Sequence, residues 1–319
     1  MKNANNIEAV TFELTNKCNL RCAICNIWKE KPKRQLPLKT IRKILDLCQF
    51  PVSVALTGGE PFLHSHFDEI YKYLFKLFLQ KMVKEINIST NGYSPVLLYF
   101  LKRNRAFLTP LSFSISIDGL KQNHSKQRGK TDSFKKTLAT VLKLRKLELP
   151  VSVKFVITRI NYADLYKVYH LSKKLGCSFY PKFYEHLDHY YHRDGKYPNL
   201  ELPKKARNQI ALTFKKIREE EEKTYKRCLS ISSLVVLEKF ARKTTYNFFL
   251  KCLTPSRSIF VTSQGDIYAC VNQQKISDIA KWPENFDTKI TQKIKQRGLQ
   301  GKCPKCLSYH GYLREFNFR

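Results

Sequence analysis

Three cysteines early in the chain have the spacing of an iron–sulfur ligand set. They are Cys18, Cys22 and Cys25, separated by three and then by two residues. Three thiolates can bind three corners of an iron–sulfur cube, which leaves the fourth iron open to an exogenous chelator. Such a site binds a substrate or cofactor directly. The alternative explanation, three buried core thiols, is disfavoured because a loop rarely buries three side chains so closely spaced.

The composition indicates a folded intracellular protein with metal or redox chemistry. The chain has 319 residues, of which 43% are hydrophobic, and this length allows one large core and a smaller appended domain. No apolar stretch follows a charge at the N-terminus, so we expect a cytoplasmic protein without a secretion signal or membrane span. Ten cysteines in such a protein favour metal or redox sites over disulfides.

The chain alternates short strand patterns with helical patterns, which is typical of an α/β fold with a parallel sheet. A helical bridge is expected over residues 184–250, and a small cysteine-bearing α+β domain over 251–319. The Gln264-Gly265 pair predicts a hairpin in that last segment, between strands at 258–262 and 266–270. In the first segment, residues 1–183, strands are expected at 9–15, 51–57, 84–90, 111–118, 151–158 and 177–183.

In five of these strands the two faces differ in chemistry. One face is apolar and should pack against the helices, as in Phe113, Ile115 and Ile117. The other face is small and polar, and a closed eight-stranded barrel with bulky interior layers could not bury it. We therefore expect an open, wet interior that holds a ligand. The polar face includes Thr11, Glu13, Ser53, Thr57, Asn87, Ser89, Asn91, Ser112, Ser114, Ser116, Ser152, Lys154 and Thr158.

The cysteine motif, read as Thr15-Asn16-Lys17-Cys18-Asn19-Leu20-Arg21-Cys22-Ala23-Ile24-Cys25, resembles the signature of the radical S-adenosylmethionine (SAM) superfamily. The resemblance covers roughly residues 9–183 and implies a partial (β/α)6 barrel with SAM bound at a [4Fe–4S] cluster. It implies an oxidoreductase or maturase that cleaves SAM reductively to a 5′-deoxyadenosyl radical, which abstracts hydrogen from a substrate. No residue is assigned as a catalytic acid or base.

The ends of the following strands resemble the segments with which this family holds the cofactor. Thr57-Gly58-Gly59-Glu60-Pro61 is similar to the segment that contacts the methionine amino group, where glycine permits close approach and a carboxylate can accept from an ammonium. Arg128 resembles an arginine near the cofactor carboxylate, although a solvated surface arginine is an alternative. The resemblance thus implies a SAM-binding set of Gly58, Gly59, Glu60, Ser89, Asn91, Ser116 and Arg128.

Four further cysteines lie in the last segment. They form Cys252-x12-Gly265-x4-Cys270 followed by Cys303-x2-Cys306. Four thiolates suit either an iron–sulfur cluster or a tetrahedral zinc site, and spacing alone leaves both open. The pattern is similar to SPASM and twitch extensions, which implies a second, auxiliary [4Fe–4S] cluster on these four cysteines.

The formal net charge of +32 would attract nucleic acid, acidic proteins or anionic substrates, or simply reflect lysine-rich solvated faces. The resemblance implies a peptide, a protein or a small metabolite as substrate and an acidic electron donor such as flavodoxin or ferredoxin. The alternative is a basic zinc or iron–sulfur module that binds or modifies nucleic acid such as tRNA. That alternative leaves Gly58 to Pro61 and the three-cysteine motif unexplained.

Overall fold

A computed structural model describes residues 7–46, 48, 51–185, 195–196, 198–224, 227–242, 257–269 and 275–278. The strands are β1 (Ala9–Thr15), β2 (Val52–Gly58), β3 (Val83–Thr90), β4 (Leu111–Ser116), β5 (Val151–Ile157), β6 (Ser178–Phe183), β7 (Ser258–Val261), β8 (Asp266–Tyr268) and β9 (Lys275–Asp278). The helices are α1 (Leu38–Leu45), α2 (Phe67–Leu79), α3 (Pro95–Arg103), α4 (Lys121–Arg128), α5 (Ser133–Lys146), α6 (Leu165–Lys174), α7 (Lys204–Glu222) and α8 (Ile231–Arg242).

The strands form one mostly parallel sheet in the order β6-β5-β4-β3-β2-β1-β7-β8-β9. The first six strands are parallel to their neighbours, and a helix lies between each consecutive pair along the chain. This arrangement confirms the α/β class and the six strands expected from the sequence. Parallel strands place their carboxyl ends at one edge of the sheet, so the loops that follow β1 to β6 meet there.

The apolar face of the sheet packs against the helices and forms the main core. Phe12, Ile88 and Phe113 on the strands are fully buried there, as are Ile70 and Leu74 of α2. Burying each such side chain contributes about 1.5–3 kcal/mol relative to exposure. Because a slip of one residue would turn these side chains to the opposite face, the core also fixes the strand register and therefore the direction of the polar side chains.

The two helices expected in the bridge are α7 and α8, and they share the core of the sheet. Phe183 of β6 packs against Phe214 of α7 and Phe240 of α8, with ring centroids 6.2 and 4.8 Å apart. Fully buried Glu221 accepts a hydrogen bond at 2.7 Å from the Tyr169 hydroxyl of α6. These contacts join α7 and α8 to the strand–helix units, while the domain boundaries at residues 183 and 250 stay predictions.

A C-terminal hairpin extends the sheet beyond β1. β7 is parallel to β1 and antiparallel to β8, and the turn between β7 and β8 contains Gly265 with φ of 92°. This confirms the predicted hairpin within the residues described. Ser263 of the turn donates through its backbone N–H, at 3.3 Å, and its hydroxyl, at 2.5 Å, to buried Glu13 of β1. These hydrogen bonds to Glu13 therefore connect the hairpin to the polar face of the sheet.

None of the helices in the described part of the chain combines the length and hydropathy needed to cross a bilayer. The four cysteines of the predicted auxiliary site, Cys252, Cys270, Cys303 and Cys306, lie outside the described residues.

Candidate functional site

The three-cysteine loop directly follows β1, at the carboxyl edge of the sheet. The Cys22 thiol is buried, whereas Cys18 and Cys25 are partly exposed. Leu20 and Ile24, which alternate with the cysteines, are 1% and 4% exposed and belong with Cys22 to a small cluster separate from the main core. The apolar residues thus turn inward, and burial of this cluster gives the loop a defined conformation.

The end of helix α4 holds this loop from one side. The backbone N–H groups of Arg21 and Ala23 donate to the carbonyls of Arg128 and Gln127, at 3.3 and 2.8 Å. Gly129 ends the helix with φ of 69°, and a Cβ at this position would lie 2.3 Å from the Arg21 carbonyl oxygen. The cysteine loop and the helix end are therefore in backbone contact, which only glycine at position 129 permits.

The turn after β2 holds the loop from the other side. The N–H groups of Gly59 and Glu60 donate to the carbonyls of Thr15 and Lys17, at 2.7 and 2.8 Å. A Cβ on Gly58 would lie 2.3 Å from the Thr15 carbonyl oxygen, and one on Gly59 would lie 2.2 Å from that of Lys17. Both glycines are thus required by close backbone approach to the cysteine loop. The sequence predicted close approach to the cofactor instead, and that stays a prediction.

Glu60 is fully buried and joins the ends of β2 and β3. Its carboxylate accepts from the Thr90 hydroxyl at 2.8 Å, from the Asn91 backbone at 3.0 Å and from the Phe62 backbone at 3.4 Å. Burial raises the pKa of Glu60 to about 7, against the opposing effect of these donors. Several acceptor positions of the carboxylate are occupied by protein donors, so Glu60 positions the site in addition to supplying charge.

Asn91 connects β3 to the cysteine loop. Its side-chain amide donates to the Asn19 side chain at 2.8 Å, and its side-chain oxygen accepts from the Tyr93 backbone at 2.8 Å. Ser89 and Ser116 of β3 and β4 are partly buried. Their registers place them on the polar face, two residues beyond Asn87 and Ser114, which hydrogen-bond to each other at 3.1 Å.

Arg128 lies beneath the loop rather than on the surface. Its guanidinium is 3.7 Å from the Cys22 sulfur and forms an ion pair with Asp118, which is fully buried. Asp118 also accepts from the Val156 backbone at 2.7 Å. The solvated alternative for Arg128 is therefore wrong, because the residue is 7% exposed.

Sequence reasoning missed Asp118 and His124, which support Arg128. The Asp118 backbone donates to His124 Nδ1 at 3.1 Å, so this nitrogen accepts and the ring is the Nε2-protonated tautomer. Burial, with the nearby Arg128 charge, lowers the pKa of His124 to about 3, which keeps the ring neutral. The available signal was the four-residue spacing of His124 and Arg128, which puts both on one face of α4.

The donor set suits an iron–sulfur cluster with an open iron. Burial raises the pKa of Cys18 to about 12 and also raises the pKa of Cys22 and Cys25, so buried thiolates there require positive charge nearby. Iron would supply that charge, and Arg128 adds to it at Cys22. In the described residues no three His, Cys, Asp or Glu side chains converge on one point as around a single ion. A four-iron cube takes one thiolate per iron and does not need such convergence.

Comparison with known proteins identifies the family of this chain. A family model described as the radical SAM superfamily matches residues 12–171 of the 319. The sporulation killing factor maturation protein SkfB of Bacillus subtilis is 31% identical over an alignment covering 47% of this chain and 36% of SkfB. The AdoMet-dependent heme synthase of Methanosarcina barkeri is 25% identical over 93% of this chain and 87% of its own length.

A solved structure shares the fold. Streptococcus suis SuiB, in its crystal structure bound to precursor peptide SuiA, superposes with a TM-score of 0.63 at 14% identity. The superposition covers 91% of this chain and 66% of SuiB. At this identity the likeness concerns the fold alone.

Proposed function

Because the chain belongs to the radical SAM superfamily, whose members are enzymes that use SAM and a [4Fe–4S] cluster, we propose that Cys18, Cys22 and Cys25 bind such a cluster. When bound and reduced, the cluster supplies the electron that cleaves SAM to methionine and a 5′-deoxyadenosyl radical, which takes a hydrogen atom from the substrate. The first six strands form the partial (β/α)6 barrel around this centre.

The observation that carries the proposal is the convergence of three structural elements on the cysteine loop. The Gly58-Gly59 turn contacts it through close backbone approach, the end of α4 through two backbone hydrogen bonds, and Asn91 through its side chain. All three lie at the carboxyl edge of a parallel sheet, the usual position of reactive groups in such folds. These contacts therefore fix the course of the backbone that carries the three cysteines.

We assign a role to each residue of the proposed SAM-binding set. Gly58 and Gly59 leave room for close approach, and Glu60 supplies negative charge beside the methionine ammonium. Polar groups for the ribose and carboxylate of the cofactor come from Ser89 on β3, Asn91 directly after β3 and Ser116 on β4. Arg128 keeps positive charge beside Cys22, and Asp118 holds its guanidinium in place. We propose that this charge attracts the cofactor carboxylate.

The substrate class is a peptide, a protein or a small metabolite that is oxidised or cross-linked. The maturation role in the name of SkfB and the peptide bound to SuiB support a peptide substrate, and the heme synthase supports a small molecule. The chain spans 36% of the length of SkfB.

An acidic electron donor, such as a flavodoxin or ferredoxin, would reduce the cluster. Exposed cations border the cysteine loop, and the side chains of Arg21 and Lys29 lie 5.0 and 5.2 Å from the Trp28 ring. Lys31, Lys33 and Arg34 extend this basic surface, and all are exposed. Complementary charge accelerates association between redox partners, so the surface suits an acidic carrier.

We propose a second, auxiliary [4Fe–4S] cluster on Cys252, Cys270, Cys303 and Cys306 in a SPASM/twitch-like domain. The cysteine spacing and the β7–β8 hairpin support it, since Cys270 follows the end of β8 by two residues in the sequence. Zinc on the same four thiolates is the competing assignment.

The decisive measurement is anaerobic reconstitution, followed by iron and sulfide counting and an assay of 5′-deoxyadenosine after reduction with SAM. Two clusters give about eight irons per chain. Cys22→Ala should lose about four irons, one cluster, and abolish cleavage of SAM. Cys177→Ala is the matched control, because Cys177 is buried in the main core, and it should keep both. Cleavage that survives Cys22→Ala would contradict the proposal.

The auxiliary site has its own test. Replacing Cys303 and Cys306 by alanine should halve the iron and abolish product, while SAM cleavage is partly retained. Wild-type protein with about four irons and one zinc would keep the enzyme class and make the C-terminal site structural. Full iron content in the double variant would refute the assignment.

A further inference from the structure

The outer side of α2, α3 and the turn after α3 carries most of the exposed apolar side chains in the described part of the chain. Seven large hydrophobic residues are exposed among the described residues, and five of these lie between residues 79 and 107. We call them the α2–α3 surface: Leu79, Val96, Leu98, Tyr99 and Phe107, with exposures of 41% to 65%. A single exposed leucine is ordinary, whereas such a concentration marks an interaction site.

The surface continues from α2 to the turn after α3, and it stands on a packed base. The Phe107 ring centroid lies 5.3 Å from that of Phe75, and Leu79 follows Phe75 by one turn of the same helix. Phe100 fills the space between the two helices, with its ring 5.0 Å from that of Tyr71. The exposed side chains therefore project from a filled helix pair and do not line a groove.

The charged residues interleaved with this surface are all cations. Residues 72–84 and 95–109 contain seven Lys and Arg residues and no Asp or Glu. All seven are exposed: Lys72, Lys76, Lys81, Lys84, Lys102, Arg103 and Arg105. Asp68 of α2 pairs with Arg103 at 3.2 Å, and Glu85 directly follows the first stretch. Such a surface favours a partner that offers negative charge together with apolar contact.

Charge disfavours the chain itself as the occupant. A second copy docked face to face would bring the same cations against these, and each copy has a formal net charge of +32. Residues 279–319, outside the described part, contain nine Lys and Arg against three Asp and Glu. Like charges brought together at a contact are unfavourable. Nucleic acid supplies negative charge, but its phosphates are bound by polar and cationic groups and offer nothing to the exposed leucines.

We propose that the α2–α3 surface binds an anionic lipid bilayer. The apolar side chains enter the boundary between headgroups and acyl chains, and the lysines and arginines contact the lipid phosphates. A bilayer deforms around projecting side chains, whereas a folded acidic protein would need a complementary surface. With 13 and 9 residues, α2 and α3 lie on the membrane without crossing it. The inference goes beyond the proposed function and does not depend on it.

The test is flotation of the reconstituted full chain with lipid vesicles in about 0.15 M salt. One set of vesicles contains equal parts of phosphatidylglycerol and phosphatidylcholine, and the other contains phosphatidylcholine alone. The wild-type chain should bind the anionic vesicles and should bind the neutral ones at least about tenfold more weakly, because neutral lipid offers the cations no net counter-charge.

Serine variants test the apolar side chains. Leu79→Ser with Phe107→Ser should lower partitioning into anionic vesicles about a hundredfold, since each apolar side chain that leaves water is worth about a factor of ten. Leu142→Ser with Leu212→Ser is the matched control, because these leucines of α5 and α7 are 53% and 60% exposed, and it should bind as the wild-type chain does.

Glutamine variants test the cations. Lys102→Gln with Arg105→Gln should lower binding about thirtyfold, because each cation at an anionic surface contributes about a factor of five. Lys143→Gln with Lys146→Gln removes two exposed cations of α5, which makes it the control for net charge. Its binding should change less than about twofold, since charges more than a Debye length from the lipid are screened. Thermal unfolding of each variant shows whether it is folded.

Losses confined to the α2–α3 variants support the inference. Unchanged binding of these variants when folded, or equal losses in their controls, would show attraction by net charge alone and overturn it. A wild-type chain that does not bind anionic vesicles would also overturn it and leave an acidic protein as the partner of this surface. Flotation is read without turnover, so the absence of 5′-deoxyadenosine in the wild-type assay would refute the proposed function and leave this inference standing.

Discussion

Replacing Asp118 by asparagine tests the network beneath the cysteine loop. Asp118 is fully buried and pairs with Arg128, while its Oδ1 accepts from the Val156 backbone at 2.7 Å. Asparagine has nearly the same shape as aspartate, and its side-chain oxygen can still accept the hydrogen bond from the Val156 backbone. It removes the carboxylate charge that faces Arg128, whose carbonyl in turn accepts from the loop at Arg21.

The expected loss of stability is large for a single isosteric change. Removing one partner of a buried ion pair costs about 3–5 kcal/mol, and the retained Val156 bond places Asp118→Asn near the lower end, about 3 kcal/mol. That loss reduces the ratio of folded to unfolded protein by about a hundredfold. Asp68→Asn removes an exposed pair with Arg103 at 3.2 Å and should cost about 1 kcal/mol or less.

Urea unfolding of the protein without metal, monitored by circular dichroism, gives the free energy of unfolding of the Asp118→Asn and Asp68→Asn variants. The double variant Asp118→Asn with Arg128→Met leaves neither charge buried, so its loss should be about 2 kcal/mol smaller than the sum of the two single losses. The reasoning is refuted if Asp118→Asn costs no more than Asp68→Asn, or if the two single losses are additive.

Two further changes test the contacts around the cysteine loop. Gly59→Ala places a Cβ 2.2 Å from the Lys17 carbonyl oxygen and should reduce iron incorporation severalfold. Gly195→Ala carries only the backbone strain of a φ of 67°, with no described residue within 4 Å of its Cβ, and should reconstitute normally. Equal iron in both variants would contradict the close approach. Burial raises the pKa of Glu60 from 4.5 to about 7, so the folded state binds this proton more tightly than the unfolded state. The contribution of the protonated carboxyl to the unfolding free energy is therefore fully present below pH 4.5 and is lost as the pH rises toward 7. The linked loss is about 3 kcal/mol in the unfolding free energy, and Glu60→Gln should abolish this component of the pH dependence measured by urea unfolding.

Much of the fold was predictable because its signals are local. Alternation of apolar and polar residues gave all six parallel strands within a few residues of their observed bounds, and Gly265 marked the C-terminal hairpin. The pairing of β7 with β1 was not predictable. It joins strands some 250 residues apart, and a pattern of period two specifies which face is buried but not which strand is the neighbour.

The same distinction between local signals and tertiary contacts applies to the candidate site. Cysteine spacing and the Gly58-Gly59 pair are local signals, and the structure places both at one edge of the sheet. The ion pair of Asp118 with Arg128 depends on how α4 folds back on β4, and the hydrogen bond of Asn91 to Asn19 depends on how the strands pair. These contacts are tertiary, so residue types alone could not reveal them.

The anchoring of the cysteine loop has a consequence for the order of assembly. Its contacts come from the end of β2, from Asn91 after β3 and from the end of α4, so the loop is held only when several strands have already paired. The folded sheet therefore bears much of the entropy of ordering the loop. In a small zinc finger, by contrast, metal binding supplies the folding free energy. Because protein contacts anchor the loop here, we expect the protein without metal to keep its fold and to accept iron without refolding.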